Sequence, residues 1–166
     1  MATITLKGNP FQTVGNLPEI GSKIKNFSLV DGELSKKTLS DFSGSRIIFN
    51  IFPSVDTGTC AASVRTFNKA ASELKNTTTL CISRDLPFAQ GRFCGAEGIE
   101  NVIMLSDFIS GDFGISNGLN FSNGPLEGLN SRCIIVTDEN GIIIHTEQVA
   151  ETVDEPNYEA ALNSLK

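Results

Sequence analysis

Basic charge is scarce in this 166-residue chain, where 13 Lys and Arg stand against 19 Asp and Glu, for a formal net charge of −6. The basic residues are scattered. Nucleic acid is therefore not expected as a partner, because phosphate binding needs grouped Lys and Arg. Long apolar runs are also lacking. Stretches such as Ile47-Ile48-Phe49 fall far short of the roughly 20 apolar residues of a membrane-spanning helix, so no membrane partner is expected either. The opening Met1-Ala2-Thr3-Ile4-Thr5-Leu6-Lys7 has no basic start followed by an apolar core, and no secretory signal is read there. There is one histidine, His145, and the four cysteines Cys60, Cys81, Cys94 and Cys133 form no Cys-x-x-Cys pair. A zinc site needs about four organised N or S ligands, so neither a metal nor another cofactor is expected. Internal repeats, low-complexity tracts and linkers are missing, and 40% hydrophobic against 19% charged residues is not a disordered composition. These features predict one globular domain over residues 1–166, long enough to fold without a metal or disulfide staple. With no signal read, a reducing, cytoplasmic location is expected, in which permanent disulfides are rare.

The elements follow from periodicity and turn residues. Thr3–Leu6 and Phe11–Val14 flank Lys7-Gly8-Asn9-Pro10, which predicts an N-terminal β-hairpin. Phe27–Val30 reads as a short strand and Leu39–Phe42 as one helical turn. Ile47–Phe52 reads as a buried strand ended by Pro53. Cys60, Val64, Phe67, Ala71 and Leu74 then share one helical face. Thr77–Ser83 is strand-like, Phe88–Gly95 is a short helix carrying Cys94, and Val102–Leu105 is a further strand. Residues 110–130, rich in Gly, Asn and Ser, read as a long surface loop. Cys133–Thr137 and Ile142–Gln148 flank Asp138-Glu139-Asn140-Gly141 as a hairpin, and Pro156 opens a last helix. Helices covering a central mixed sheet bury these faces best. The order βαβ, hairpin, helix is that of an α/β thioredoxin-like fold with an added N-terminal hairpin.

The chemistry concentrates in Pro53-Ser54-Val55-Asp56-Thr57-Gly58-Thr59-Cys60. This stretch joins the carboxyl end of a buried strand to a helix start, where α/β proteins gather ligands. A cysteine in the first helical turn faces unpaired N–H groups and the positive end of the dipole. Both favour the thiolate, which is the nucleophile. Thr57, three residues earlier, has its hydroxyl within reach of the sulfur. It also stands where a dithiol motif would carry its first cysteine, so the usual dithiol chemistry is not available, which argues against a disulfide reductase or isomerase, and any disulfide partner must come from elsewhere.

The pattern Pro53-x-x-x-Thr57-x-x-Cys60 resembles the peroxidatic signature of the peroxiredoxins. The strings NIFPSVDTGTCAASVR (Asn50–Arg65), LCISRDLPFAQGRFCGAEG (Leu80–Gly98) and VTDENG (Val136–Gly141) are similar to the bacterial thiol peroxidase family, the atypical two-cysteine peroxiredoxins. The resemblance runs nearly end to end. It implies that Cys60 attacks a hydroperoxide and becomes a sulfenic acid. It implies further that Thr57 positions the peroxide, Pro53 shields the sulfenic acid, and Arg132 supplies a fixed positive charge. Cys94 matches the resolving cysteine, which closes a disulfide with Cys60 in the same chain. Thioredoxin is the implied reductant, hydrogen peroxide and organic hydroperoxides the substrates, and a homodimer the assembly. Phe52, Phe93 and Phe108 are candidates to line an apolar substrate site.

Other reactive residues have plainer readings. Cys81 sits mid-strand and reads as a buried thiol. Cys133 follows Arg132 directly, so its side chain belongs to the opposite face of the strand. His145 reads as a surface or satisfied strand residue. Asp56 is expected to point away from Cys60 or to cap the helix, because a nearby carboxylate opposes the thiolate. An alternative function on the same scaffold is a peroxide sensor or redox relay, passing oxidation from Cys60 to a client protein.

Overall fold

The computed structural model describes residues 1–166. A separate antiparallel pair, β1 (Thr3–Leu6) and β2 (Asn9–Gln12), forms the N-terminal hairpin. The main sheet holds seven strands: β3 (Ser28–Val30), β4 (Lys36–Thr38), β5 (Arg46–Ile51), β6 (Thr77–Ser83), β7 (Ile103–Ser106), β8 (Cys133–Thr137) and β9 (Ile143–Gln148). Their order across the sheet is β4-β3-β7-β6-β5-β8-β9. β5, β6 and β7 run parallel, while β3 and β4 on one flank and β8 and β9 on the other are antiparallel to their neighbours. This is the thioredoxin-like mixed sheet that the sequence predicts. The helices are α1 (Gly58–Ala71), α2 (Pro87–Glu97), α3 (Asp112–Ser116) and α4 (Tyr158–Asn163). None is long and apolar enough to cross a membrane.

β5 is apolar along nearly its whole length because both of its faces are covered. Ile47, Phe49 and Ile51 join a cluster with Leu80, Ile82, Leu105, Cys133 and Ile135 on one side. Ile48 packs on the other side with Phe67, Ile134, Val136 and Ala161, beneath α1 and α4. Phe52, just past the strand, enters a third cluster with Val55, Cys60, Val64, Cys81, Ile99 and Met104. The alternation of side chains along β8 therefore sends Arg132 toward the α1 side and Cys133 to the opposite one.

Two boundaries carry the site. Thr57 is the extended N-cap of α1 at φ −105°, so the helix begins where the loop from β5 turns back over the sheet. α2 opens with Pro87, whose fixed φ suits a first helical position. It ends at Gly98 with φ +66°, a left-handed closure that glycine adopts without strain.

The expected surface loop over residues 110–130 is not one. It contains α3, and Phe113, Asn117, Leu119, Asn120, Phe121 and Asn130 are buried. Phe113 stacks on Phe49 at 6.1 Å and meets Phe27 edge-on at 5.8 Å between ring centroids. A Cβ on Gly114 would collide with the Asn120 and Asn130 side chains. The Gly and Asn content of this stretch reflects tight packing and amide hydrogen bonding, not exposure. Two smaller differences have local causes. β2 starts at Asn9 because Lys7 and Gly8, both at positive φ, make a two-residue turn. Leu74 lies beyond the end of α1 yet still packs against the Phe67 cluster.

Candidate active site

Cys60 lies in the first turn of α1 with no solvent exposure. Its sulfur accepts a hydrogen bond from Arg132 Nη2 at 3.2 Å. Arg132 precedes β8 and is itself only 2% exposed. Its Nε and Nη2 donate to the Thr152 carbonyl at 3.1 and 3.0 Å, which fixes the guanidinium plane. Its buried Nη1 donates to no protein atom. The guanidinium thus sets a fixed positive charge beside a fully buried sulfur, the kind of preorganised donor that stabilises negative charge developing next to it.

The loop leading to Cys60 is tied down by a residue that sequence reasoning missed. Asp85, just past β6, accepts hydrogen bonds from Ser54 Oγ at 2.7 Å, Val55 N at 2.9 Å and Ser83 Oγ at 2.6 Å. The Ser106 hydroxyl donates to the Asp85 carbonyl, joining β7 to the same knot. An acid at the carboxyl end of a parallel strand is a signal that could have been followed. Thr152 left no signal, because it acts through its backbone carbonyl.

Pro53 is buried at the start of the loop. Thr57 is exposed, and its hydroxyl donates to the Ser54 carbonyl at 3.1 Å. The expected hydrogen bond of that hydroxyl to the sulfur is not the arrangement here, since in the extended N-cap conformation the hydroxyl is taken up by the loop carbonyl. Asp56 points away from Cys60, as expected, and pairs with Arg92 of α2 at 3.1 Å. Ser63 Oγ donates to the Cys60 carbonyl at 2.8 Å and accepts from Asn50 Nδ2 at 3.2 Å.

All four cysteines are free. Cys94, on α2, is half-buried and packs with Phe93 and Val102 against the cluster that holds Cys60, Phe52 and Cys81. Burial pushes the Cys94 thiol above its ordinary range. Cys81 is fully buried and pushed up to about 12, chiefly by burial. Cys133 is raised by burial as well, and it sits in the cluster on the far side of the sheet. Of the phenylalanines expected at the site, Phe52 and Phe93 share the Cys60 cluster. Phe108, half-buried just past β7, lies outside it. Two ion pairs clasp the Cys60 and Cys94 elements together, Asp56 with Arg92 and Arg65 with Glu97 at 3.2 Å.

Comparison with known proteins bears on this arrangement. The Redoxin family matches residues 19–162. The chain is 53% identical over 165 residues to a thiol peroxidase of Corynebacterium glutamicum, covering 99% of each chain. Among solved structures, a peroxiredoxin-like protein from Aquifex aeolicus superposes with a TM-score of 0.94 at 30% identity, covering 99% of this chain and 96% of that one. A thiol peroxidase from Chromobacterium violaceum shares the fold, with a TM-score of 0.90 at 23% identity over 97% and 93% of the two chains.

Proposed function

The chain belongs to the Redoxin family as a peroxiredoxin-type thiol peroxidase, and on that premise we propose that Cys60 is the attacking sulfur and Cys94 the resolving one. The contact between Arg132 Nη2 and Cys60 Sγ carries this reading, because it places a buried positive donor on one sulfur of the four. The Cys60 thiolate attacks the terminal oxygen of a hydroperoxide. The O–O bond breaks, an S–O bond forms, and the departing alkoxide takes a proton to leave as alcohol or water. The sulfur is oxidised by two electrons as the peroxide is reduced by two. Arg132 faces both the attacking sulfur and the developing oxyanion.

Cys94, as a thiolate, then attacks the sulfenic sulfur. An S–S bond forms, and hydroxide leaves and is protonated to water. A thioredoxin dithiol reduces the disulfide by exchange. Phe52 and Phe93 beside Cys60 suit organic hydroperoxides as well as hydrogen peroxide. Thr57 and Pro53 would frame the peroxide from the loop. A cytoplasmic location fits this dependence on a thiol reductant. The family likeness, together with exposed Leu86 and Phe88 at the start of α2, supports a homodimer. The test is peroxide consumption coupled to thioredoxin and its reductase. Cys60→Ser is expected to abolish it, and retained turnover in that variant would overturn the assignment.

A further inference from the structure

The segment between β9 and α4 connects the N-terminal hairpin to the reacting sulfur. Thr5 N donates to the Ala150 carbonyl at 2.8 Å, and Thr152 N donates to the Thr5 carbonyl at 2.8 Å. Thr152 Oγ1 donates to that same carbonyl at 2.9 Å. Residues 150–152 thus lie beside β1, where Glu151 and Thr5 form an isolated parallel bridge. Glu151 fastens this pairing. Its Oε1 accepts from Lys7 N at 2.9 Å and Val153 N at 3.3 Å. Its Oε2 accepts from Thr5 Oγ1 at 2.6 Å and Gly8 N at 3.1 Å. The hairpin turn makes this possible. Lys7 and Gly8 have φ of +51° and +82°, and consecutive left-handed residues turn successive N–H groups toward one anion. The other end of the segment meets the active site. Thr152 O receives both Arg132 donors, and Val153 O receives Thr59 Oγ1, next to Cys60, at 2.9 Å.

We propose that Glu151 is a positioning residue for peroxide reduction: held in the hairpin turn, it fixes the Thr152 carbonyl that aims Arg132 at Cys60. This rests on the reading of Cys60 as the attacking sulfur. It also gives the hairpin a purpose outside the main sheet, as a strut for the guanidinium. The Glu151 carboxyl is held at about 2, first by the Thr5 hydroxyl and then by the turn N–H groups, so the clamp is ionised throughout the working pH range.

The test is single-turnover oxidation of Cys60 by hydrogen peroxide in the full chain, followed by rapid quench and peptide mass. Glu151→Ala is expected to slow it about tenfold, the cost of a misaimed charge-assisted hydrogen bond. Glu151→Gln retains the acceptor for Lys7 and Val153 but faces Gly8 N with a donor, and should recover part of the rate. The deciding readout is a double-mutant cycle. In an Arg132→Met background, Glu151→Ala should cause no further slowing. Phe42→Ala, which truncates a half-buried ring packed on Phe27 in the cluster across the sheet from Cys60, controls for lost stability and should lower the melting temperature without this effect. Equal slowing by Glu151→Ala in both backgrounds would make the residue merely structural and overturn the proposal, as would a wild-type rate in the Ala variant. If Cys60 of the unmodified protein is not oxidised at all, the functional reading itself falls.

Discussion

Gly91 and Gly95 lie in the interior of α2, on its exposed face, on either side of Cys94 in the helix. A Cβ at either position would meet nothing within 4 Å, and neither has positive φ. Packing therefore does not require glycine there. Each costs the helix about 1 kcal/mol relative to alanine. If Cys94 must leave the helical conformation to reach Cys60, these glycines lower the cost of unwinding. The double substitution Gly91→Ala with Gly95→Ala should then stabilise the reduced protein by about 2 kcal/mol. That raises the melting temperature by about 4–8 °C for a domain of this size. The same 2 kcal/mol is added to the unwinding step, so disulfide formation after sulfenic acid formation should slow about 30-fold. Oxidation of Cys60 itself should be little changed, because α1 is untouched. The assay is a single turnover with one equivalent of peroxide, quenched with an alkylating agent at intervals. It counts reduced, sulfenic and disulfide species by mass. Excess peroxide should also carry more Cys60 to the sulfinic acid, since the sulfenic acid persists longer. A raised melting temperature with an unchanged rate of disulfide formation would refute the reasoning, because Cys94 would then react from an intact helix.

Arg132→Met removes the donor to the sulfur while keeping an unbranched, apolar side chain. Loss of a charge-assisted bond worth about 1.5–3 kcal/mol should slow peroxide reduction roughly 10- to 100-fold in stopped-flow measurements. The change also leaves the buried Thr152 carbonyl without both of its Arg132 donors, so the melting temperature should fall by several degrees as well. Asp85→Ala strands the Ser54, Val55 and Ser83 donors. At about 2–3 kcal/mol for the set, it should lower the melting temperature by several degrees and reduce activity by loosening the Cys60 loop. The Glu151 clamp has a defined acid dependence. Its carboxyl is lowered from 4.5 to about 2 in the folded chain, so its contribution is full above about 4.5 and is lost as pH falls through about 2. The melting-temperature gap between wild type and Glu151→Gln should therefore narrow across that window, and a constant gap would contradict the assignment.

The legible parts of the fold were those with a regular pattern. β6 and β8 coincide with Thr77–Ser83 and Cys133–Thr137 because continuous β-branched and apolar residues serve a sheet covered on both faces. The helical turn at Leu39–Phe42 also falls where expected. The 110–130 region was illegible because glycine and asparagine support a solvated loop and a tightly packed one alike. Only the contacts of Phe113 with Phe27 and Phe49 separate the two. At the site, Cys60 was readable from its place after a strand and at a helix start, and the face of Arg132 from strand alternation. Thr57 proves to be the N-cap of α1, a place the sequence did not reveal, and its hydroxyl goes to the Ser54 carbonyl rather than to the sulfur. Asp85, Thr152 and Glu151 escaped notice because their importance lies in long-range pairing, to Val55, Arg132 and Gly8 respectively.

The central claim, that Cys60 attacks and Cys94 resolves, is tested most directly by intact mass and a non-reducing peptide map before and after one equivalent of organic hydroperoxide. The expected result is loss of two hydrogens and a single crosslink joining the Cys60 and Cys94 peptides. An unmodified chain, or a crosslink through Cys81 or Cys133, would contradict it.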